Sequence, residues 1–273
     1  YGGGWMSLSE DWDVGILAET LQDRTDGFKE LDGGGDTGYR IQDYLAQLAF
    51  KSTAESGLRQ SFEFKVQRSD EVSDETYLGL THADFAANPY RRYAASQVDE
   101  MNVDHLTLQA SHRVDFSNDL NLTTTLYYND TSRAWYKIND ARLTGAPAWT
   151  SISSIVGDPS ANAAELAVLK GAAGEIRVRN NNREYYSAGI QSVLGSAFLT
   201  GDIAHYLELS VRYHEDEEDR FQNDDVYTMA GGQMTLTTAG APGSQDNRVG
   251  DAKAGAVREQ DTIDGAKPQS RRH

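Results

Sequence analysis

The 273-residue chain contains no cysteine. That absence removes disulfide frameworks, thiol nucleophiles, zinc ribbons and iron–sulfur clusters together. Basic residues are in short supply: 25 Lys and Arg stand against 42 Asp and Glu, a formal net charge of −17. Phosphate backbones require clustered Lys and Arg, so a nucleic-acid partner is excluded, and a basic membrane-surface module with it. Long hydrophobic runs are missing too. The apolar stretches break within a few residues, far short of the roughly 20 that a helical span needs. The six histidines are scattered, and no His-Glu-x-x-His, Gly-x-Ser-x-Gly or paired-carboxylate motif is present. Nothing here argues for an enzyme, for a catalytic set or for a resident metal. No basic-then-apolar leader precedes Tyr1, so the expectation is a chain that is processed or whose start lies upstream.

What the sequence does have is period-two alternation. Trp12, Val14, Ile16 and Ala18 alternate with Asp13, Gly15, Leu17 and Glu19. Tyr44, Ala46, Leu48 and Phe50 do the same, and Phe62, Phe64 and Val66 alternate with Ser61, Glu63, Lys65 and Gln67. The pattern returns at Leu106–Val114, Leu122–Tyr128 and Leu207–Tyr213. One apolar face and one polar face is the signature of a strand with two different environments. A transmembrane strand needs only about 9–11 such residues.

A soluble antiparallel sandwich would alternate in the same way. The connections separate the two. Short polar turns are expected around 10–11, 52–57, 116–119 and 195–202. Long connections run over 23–38, 70–102, 129–184 and onward from Glu215. Short alternating with long is the loop pattern of an outer-membrane barrel, and structureless loops of this length are uncommon in compact domains. Tyrosines at strand ends (Tyr127, Tyr128, Tyr185, Tyr186, Tyr206, Tyr213) suit an interfacial girdle, though any sheet edge could carry them.

The loops hold the candidate chemistry. The glycine-rich stretch 26–38 lacks the Lys-Ser/Thr of a phosphate loop and the twelfth-position glutamate of an EF-hand, and reads as a hairpin tip. In the second loop Thr81 is placed to cap a short helix through Asp84, which Pro89 ends. Arg91 and Arg92 follow, flanked by Tyr90 and Tyr93. This pair either grips an anion bidentately or neutralises neighbouring carboxylates. The third loop opens with Arg133, Trp135 and Lys137, which repeat the cation-plus-aromatic theme, and holds a small helix over Ala163–Lys170 capped by Asp158 or Ser160. The run His214–Arg220 reads as a solvated strand exit, with a divalent-metal site as a weak alternative.

Several loop stretches carry a resemblance. Residues 23–29, 32–38, 77–81, 84–96 and 132–137, with 239–244 and Asn247-Arg248, look like the TonB-dependent outer-membrane receptors, in the branch of ferric-citrate-type siderophore receptors. The likeness implies an all-β, antiparallel, up-and-down transmembrane β-barrel with long extracellular loops. About eight strands over 1–264 would form the first part of a larger, plugged barrel. It implies uptake of a ferric siderophore or ferric citrate across the outer membrane of a Gram-negative bacterium. Energy would come from the TonB system through a region absent here, with lipid as the surrounding partner and no cofactor retained. The plug is missing, and residues 265–273 make an atypical polar tail, expected to be out of frame; a fragment of this kind would be inactive alone. Arg91, Arg92, Arg133, Tyr90, Trp135 and Lys137 are the expected ligand contacts on physical grounds. A soluble calcium-binding adhesion or carbohydrate module, using the Asp, Asn and Gly loops, is the competing expectation.

Overall fold

The computed structural model describes residues 1–53, 58–242 and 257–262. The polar tail expected at 265–273, the stretch 243–248 and most of the turn at 52–57 lie outside them. The chain forms one antiparallel sheet built by hairpin after hairpin. Nine strands follow one another in chain order: β1 (Gly2–Ser7), β2 (Trp12–Thr25), β4 (Tyr39–Ser52), β5 (Arg59–Ser73), β7 (Glu100–Asp115), β8 (Leu120–Arg142), β10 (Gly174–Thr200), β11 (Ile203–Ala230) and β12 (Gln233–Pro242). The short β9 (Thr150–Ser151) adds to β8, and β13 (Val257–Thr262) adds to β11. A separate two-residue parallel pair joins β3 (Glu30–Leu31) to β6 (Arg91–Arg92). The sheet is all-β and up-and-down as expected, with one strand more on its main path. It is open, with β1 and β12 at its two ends.

The strands are longer at their upper ends than the hydrophobic pattern alone indicates. β8 runs for 23 residues, β10 for 27 and β11 for 28. Two expectations change as a result. Residues 132–137 are not loop but strand, because β8 stays hydrogen-bonded to β10 as far as Arg142. The acidic run His214–Arg220 is not a strand exit; it lies in mid-strand, paired residue for residue with Gly189–Arg183 of β10. Polar residues extend a strand as well as apolar ones when both neighbours supply ladder partners.

Register lines the apolar residues up across the strands. Ile16, Leu48, Phe64, Ala110, Leu126, Ile190 and Tyr213 form one continuous cross-strand row. The next row of the opposite face is Leu17, Gln47, Lys65, Gln109, Tyr127, Gly189 and His214. Burial is inverted relative to a water-soluble sheet. Ile16 is 52% exposed, Phe64 47% and Leu126 52%, whereas every member of the polar row is half-buried. No second layer covers these apolar side chains among the described residues. Of the expected tyrosine girdle, Tyr128, Tyr186 and Tyr213 share the apolar face; Tyr127, Tyr185 and Tyr206 point to the other side, because adjacent strand residues must.

The buried core lies at the loop end. Three connections, L1 (26–38), L2 (74–99) and L3 (143–173), gather there. Leu78, Tyr93, Ala94, Ile155, Val168 and Leu169 pack on Ile138, Ile176, Val178 and Met229 of the extended strands. L2 carries α1 (His82–Ala87), capped as expected: the Thr81 hydroxyl accepts from the Asp84 N–H. L3 carries α2 (Ile152–Gly157), capped by Ser151, and α3 (Ala163–Leu169). The expected cap of α3 is corrected. Asn162 stands at its N-terminus without a capping bond, while Asp158 accepts from Ala161 N–H and the Ser160 hydroxyl to close the preceding turn. After α3 the chain reverses at Gly171, whose φ of +107° suits glycine alone, and whose absent Cβ lets Gly232 approach.

Gly189 matters in the lower sheet. A Cβ there would lie 2.6 Å from Tyr127 Cζ and 2.6 Å from the Tyr213 carbonyl oxygen. The Tyr127 ring is fixed in place, since its hydroxyl bonds His214 Nδ1 at 2.6 Å and accepts from Arg212 Nε at 3.1 Å. Gly189→Val is therefore expected to destabilise the sheet by about 1–3 kcal/mol, the usual cost of overpacking. Gly195→Ala, whose Cβ meets only the Asn121 side chain at 3.2 Å, should cost much less. Urea midpoints of the detergent-refolded chains compare the two.

Candidate functional site

The loops are tied to one another before any ligand is considered. Arg91 spans L1 and L2: its Nε and Nη2 donate to Asp32 Oδ1 and Oδ2 at 3.0 and 2.8 Å, and its Nη1 to Asp84 Oδ1 at 3.0 Å. Lys29 Nζ adds a bond to the Pro89 carbonyl at 2.7 Å. Asp84 then reaches L3, pairing with Lys170 Nζ at 2.7 Å while accepting from the Tyr93 hydroxyl at 2.5 Å. The β11–β12 turn joins through Gln97, which donates to the Gly232 carbonyl at 3.2 Å and accepts from Met234 N–H at 3.2 Å.

Arg92 is buried within this assembly. It donates to Ser96 Oγ and the Ser96 carbonyl, both at 2.9 Å, and to the Asp74 carbonyl. Arg91 thus spends its donors on the carboxylates of Asp32 and Asp84, as the neutralising alternative anticipated, whereas the bonds of Arg92 go to a hydroxyl and to backbone carbonyls. Tyr90 stays 53% exposed, edge-on to Phe28 at 6.2 Å. These three expected contacts belong to the loop junction.

The other three come together on the polar face of the sheet. Arg133 of β8 is directly opposite Arg183 of β10, which is directly opposite Arg220 of β11. One row higher stand Trp135, Asn181 and Gln222, and above those Lys137, Arg179 and Asp224. Arg179 is neutralised by a two-pronged bond to Asp224 at 2.6 and 2.8 Å. Arg177 is held by Asp140, with its Nε and Nη2 both donating to Oδ2. In the arginine row itself, Arg183 pairs with Glu218 at 2.9 Å. Like charges directly opposite one another across a sheet are destabilising. Burial and the neighbouring Arg183 and Arg133 push the Arg220 guanidinium down from its ordinary value.

Aromatic rings wall the upper side. Tyr77, from the start of L2, stacks on Trp135 with ring centroids 4.4 Å apart. The Lys137 ammonium sits 3.4 Å from the Tyr77 centroid and 4.5 Å from that of Trp135. Burial, together with Arg133, Arg179 and Arg183, lowers the Lys137 amine to about 8, although Asp99 acts against them. Arg133 Nε, Arg183 Nε and Trp135 Nε1 are buried donors that lack an acceptor, each costing about 1–3 kcal/mol. Cations in excess over carboxylates, buried donors without acceptors and aromatic walls together suit an anionic, oxygen-rich ligand.

Arg183 and Arg220 were missed from sequence because 129–184 reads as loop and 214–220 as a solvated exit. A signal was present. Arg177, Arg179 and Arg183 alternate with Ile176, Val178 and Asn182, continuing the period of two through polar residues.

Asp84 holds the loop assembly. Burial opposes its ionisation, but bonds from Lys170, Tyr93 and Thr81 prevail and hold its carboxyl well below the usual range. A depressed carboxylate contributes stability that is present above its ordinary value of 3.8 and lost as pH falls below it. Asp99 runs the other way. It is buried, accepts from Ile138 N–H at 2.7 Å and the Thr76 hydroxyl at 2.5 Å, and burial still raises it to about 7. Asp84→Asn should loosen L1, L2 and L3 together at neutral pH by about 1.5–3 kcal/mol, the worth of charged hydrogen bonds. Amide exchange over 26–38, 81–93 and 163–171 would report it, and acidification below pH 4 should reproduce the same loosening in the unmodified chain.

No family model and no curated relative matches the sequence. Among solved structures the chain is similar to the ferric citrate transporter FecA in its unliganded form, at 15% identity and a TM-score of 0.42. The similarity covers 89% of this chain and 31% of that transporter.

Proposed function

We propose that the chain is a segment of an outer-membrane β-barrel that takes up an anionic ferric chelate, a ferric siderophore or ferric citrate. One observation carries the reading: the burial of the strands is inside out. In a cross-strand row of apolar side chains over seven strands six lie exposed and Ala110 is half-buried, while the polar row behind it is half-buried throughout. In water such a face would be a severe liability. Against hydrocarbon it is the favoured arrangement, with polar residues toward an enclosed wet interior. A strand span needs about 9–11 residues, so the lower halves of β8, β10 and β11 suffice to cross. The upper halves then stand beyond the bilayer, and the arginine row with them.

In this arrangement Arg133, Arg183 and Arg220 meet the chelate from the inner wall, with Trp135 and Lys137 beside them. Carboxylate oxygens of the chelate would accept from the partly exposed guanidinium groups and relieve the repulsion between them. Release inward would draw on the TonB system in the full-length receptor. Among the described residues no three His, Asp or Glu side chains converge as metal ligands would, so no observation favours the soluble calcium-binding alternative.

Two experiments test the reading. Leu126→Arg, on the apolar face, should destabilise the chain in lipid vesicles by about 2–4 kcal/mol, the cost at mid-depth. Thr125→Arg, one residue away on the polar face, should have little effect; equal tolerance of both would end the membrane assignment. For the ligand, Arg133→Gln with Arg183→Gln should weaken ferric citrate binding to the refolded chain at least about tenfold. Unchanged affinity in equilibrium dialysis would remove the arginine row from the function.

A further inference from the structure

Beside the arginine row, the free edge of β8 opens into a second cavity. Pairing of β7 with β8 ends at Glu100 opposite Tyr136, and β9 takes up the same edge only at Asp140 and Ala141. Lys137, Ile138 and Asn139 between them have no strand neighbour on that side, and Asp99 satisfies the Ile138 N–H. The gap leads into a cleft of about 440 Å³ between the start of L2 and α2. Ligand pockets commonly fall between roughly 300 and 1,000 Å³, with apolar walls and a few placed polar groups.

The walls here are Tyr77, Leu78, Ile138, Ile152 and Val156, and Lys137 is the charged residue among the lining side chains. Two lining positions are glycine. Both are exposed, and a Cβ built at either meets nothing within 4 Å. The cleft is joined to the arginine row through Lys137, which lines the cleft while its ammonium lies over Trp135.

We infer that this cleft holds the apolar arm of an aromatic carboxylate, its acid group paired with Lys137 and its ring against Leu78, Ile152 and Val156. The inference rests on the transport reading for its place in the cargo: the chelate carries an aryl arm in addition to the anionic oxygens that the arginines take. A rigid ring loses less conformational freedom on entering such a cleft than a flexible chain of the same size. The charge is required too, since an unpaired ammonium above two rings gains a partner only when the arm bears an acid.

The probe is 2-naphthoate, titrated by equilibrium dialysis onto the full chain refolded in detergent micelles. Its uncharged analogue 2-naphthalenemethanol controls for the ring and for partition into micelles, and citrate controls for the charge. Naphthoate should bind about tenfold more tightly than either control. Lys137→Gln should remove that advantage and Lys137→Arg restore most of it. Gly79→Phe adds a ring at a lining position where a Cβ meets no neighbour within 4 Å and should abolish binding. Arg183→Gln, which strikes the arginine row, should change naphthoate affinity by less than about twofold. Wild-type affinity in both Gly79→Phe and Lys137→Gln overturns the inference. If naphthoate obeys these variants while ferric citrate ignores Arg133 and Arg183, the cleft stands and the transport reading falls. If ferric citrate obeys the arginines and naphthoate ignores the cleft, the reverse holds.

Discussion

The register between β8, β10 and β11 decides where every polar group of the site points. Side chains alternate faces with a period of two, so a slip of one residue in β10 would carry Arg177, Arg179 and Arg183 to the apolar face and bring Val178 and Ile190 inside. The ion pairs of Arg177 with Asp140, Arg179 with Asp224 and Arg183 with Glu218 oppose the slip locally, but the facing guanidinium groups of Arg133, Arg183 and Arg220 repel one another and weaken that hold. What fixes it is the pairing lower down, where Leu126, Ile190 and Tyr213 must share one face, and higher up, where Ile138, Ile176, Val178 and Met229 must share the loop core. Two apolar clusters at the ends of the same ladder thus hold between them a charged row in which ion pairs and repulsion oppose each other.

The loops answer a different need. A hairpin extension of this length has exposed edges, and an edge strand invites pairing with another chain. L2 and L3 close part of the edge of β8, through Asp99 on Ile138 and through β9 on Asp140 and Ala141. The ion pairs of Arg91, Asp84 and Lys170 hold the loops in that position. In this light the dense charge of L2 has a mechanical role. It joins three connections that the backbone would otherwise leave independent, and the ligand side of β8 is shaped by where they settle.

How far the sequence discloses this follows from the physics of each part. The lower strands were legible because burial differs between their faces: Phe62, Phe64 and Val66 against Glu63, Lys65 and Gln67 leave little choice. Thr81 announced its helix because a hydroxyl cap acts within three residues. The upper strands were not legible from hydrophobicity, because both faces there are polar or loop-covered, and what keeps 129–142 and 214–230 extended is pairing with partners far along the chain. Arg91 and Arg92 show the converse. Their motif is conspicuous in sequence, yet the carboxylates that neutralise Arg91 come from Asp32 and Asp84, and the long-range carbonyl on Arg92 comes from Asp74; only Ser96, four residues on, is a local partner. Arg133, Trp135 and Lys137 were noticed as a theme, but their company, Arg183 and Arg220, is set by cross-strand register.

The charge balance of the whole chain bears on how such a site would work. A net charge of −17 repels an anion at a distance, yet at physiological ionic strength that repulsion is screened beyond about 8 Å. Beside the half-buried arginines of the polar face, screening is weaker and their charge dominates. An anion therefore meets no long-range attraction and gains only on contact, when its oxygens reach the guanidinium groups and its body fits between the rings. Such a surface selects by fit over charge alone. Small buffer anions, which carry charge without shape, recover little of the desolvation cost of the row. Under the proposed uptake, a larger chelate with several oxygens at cross-strand spacing would engage two or three arginines at once, and that multiplicity would offset the acidity of the rest of the chain.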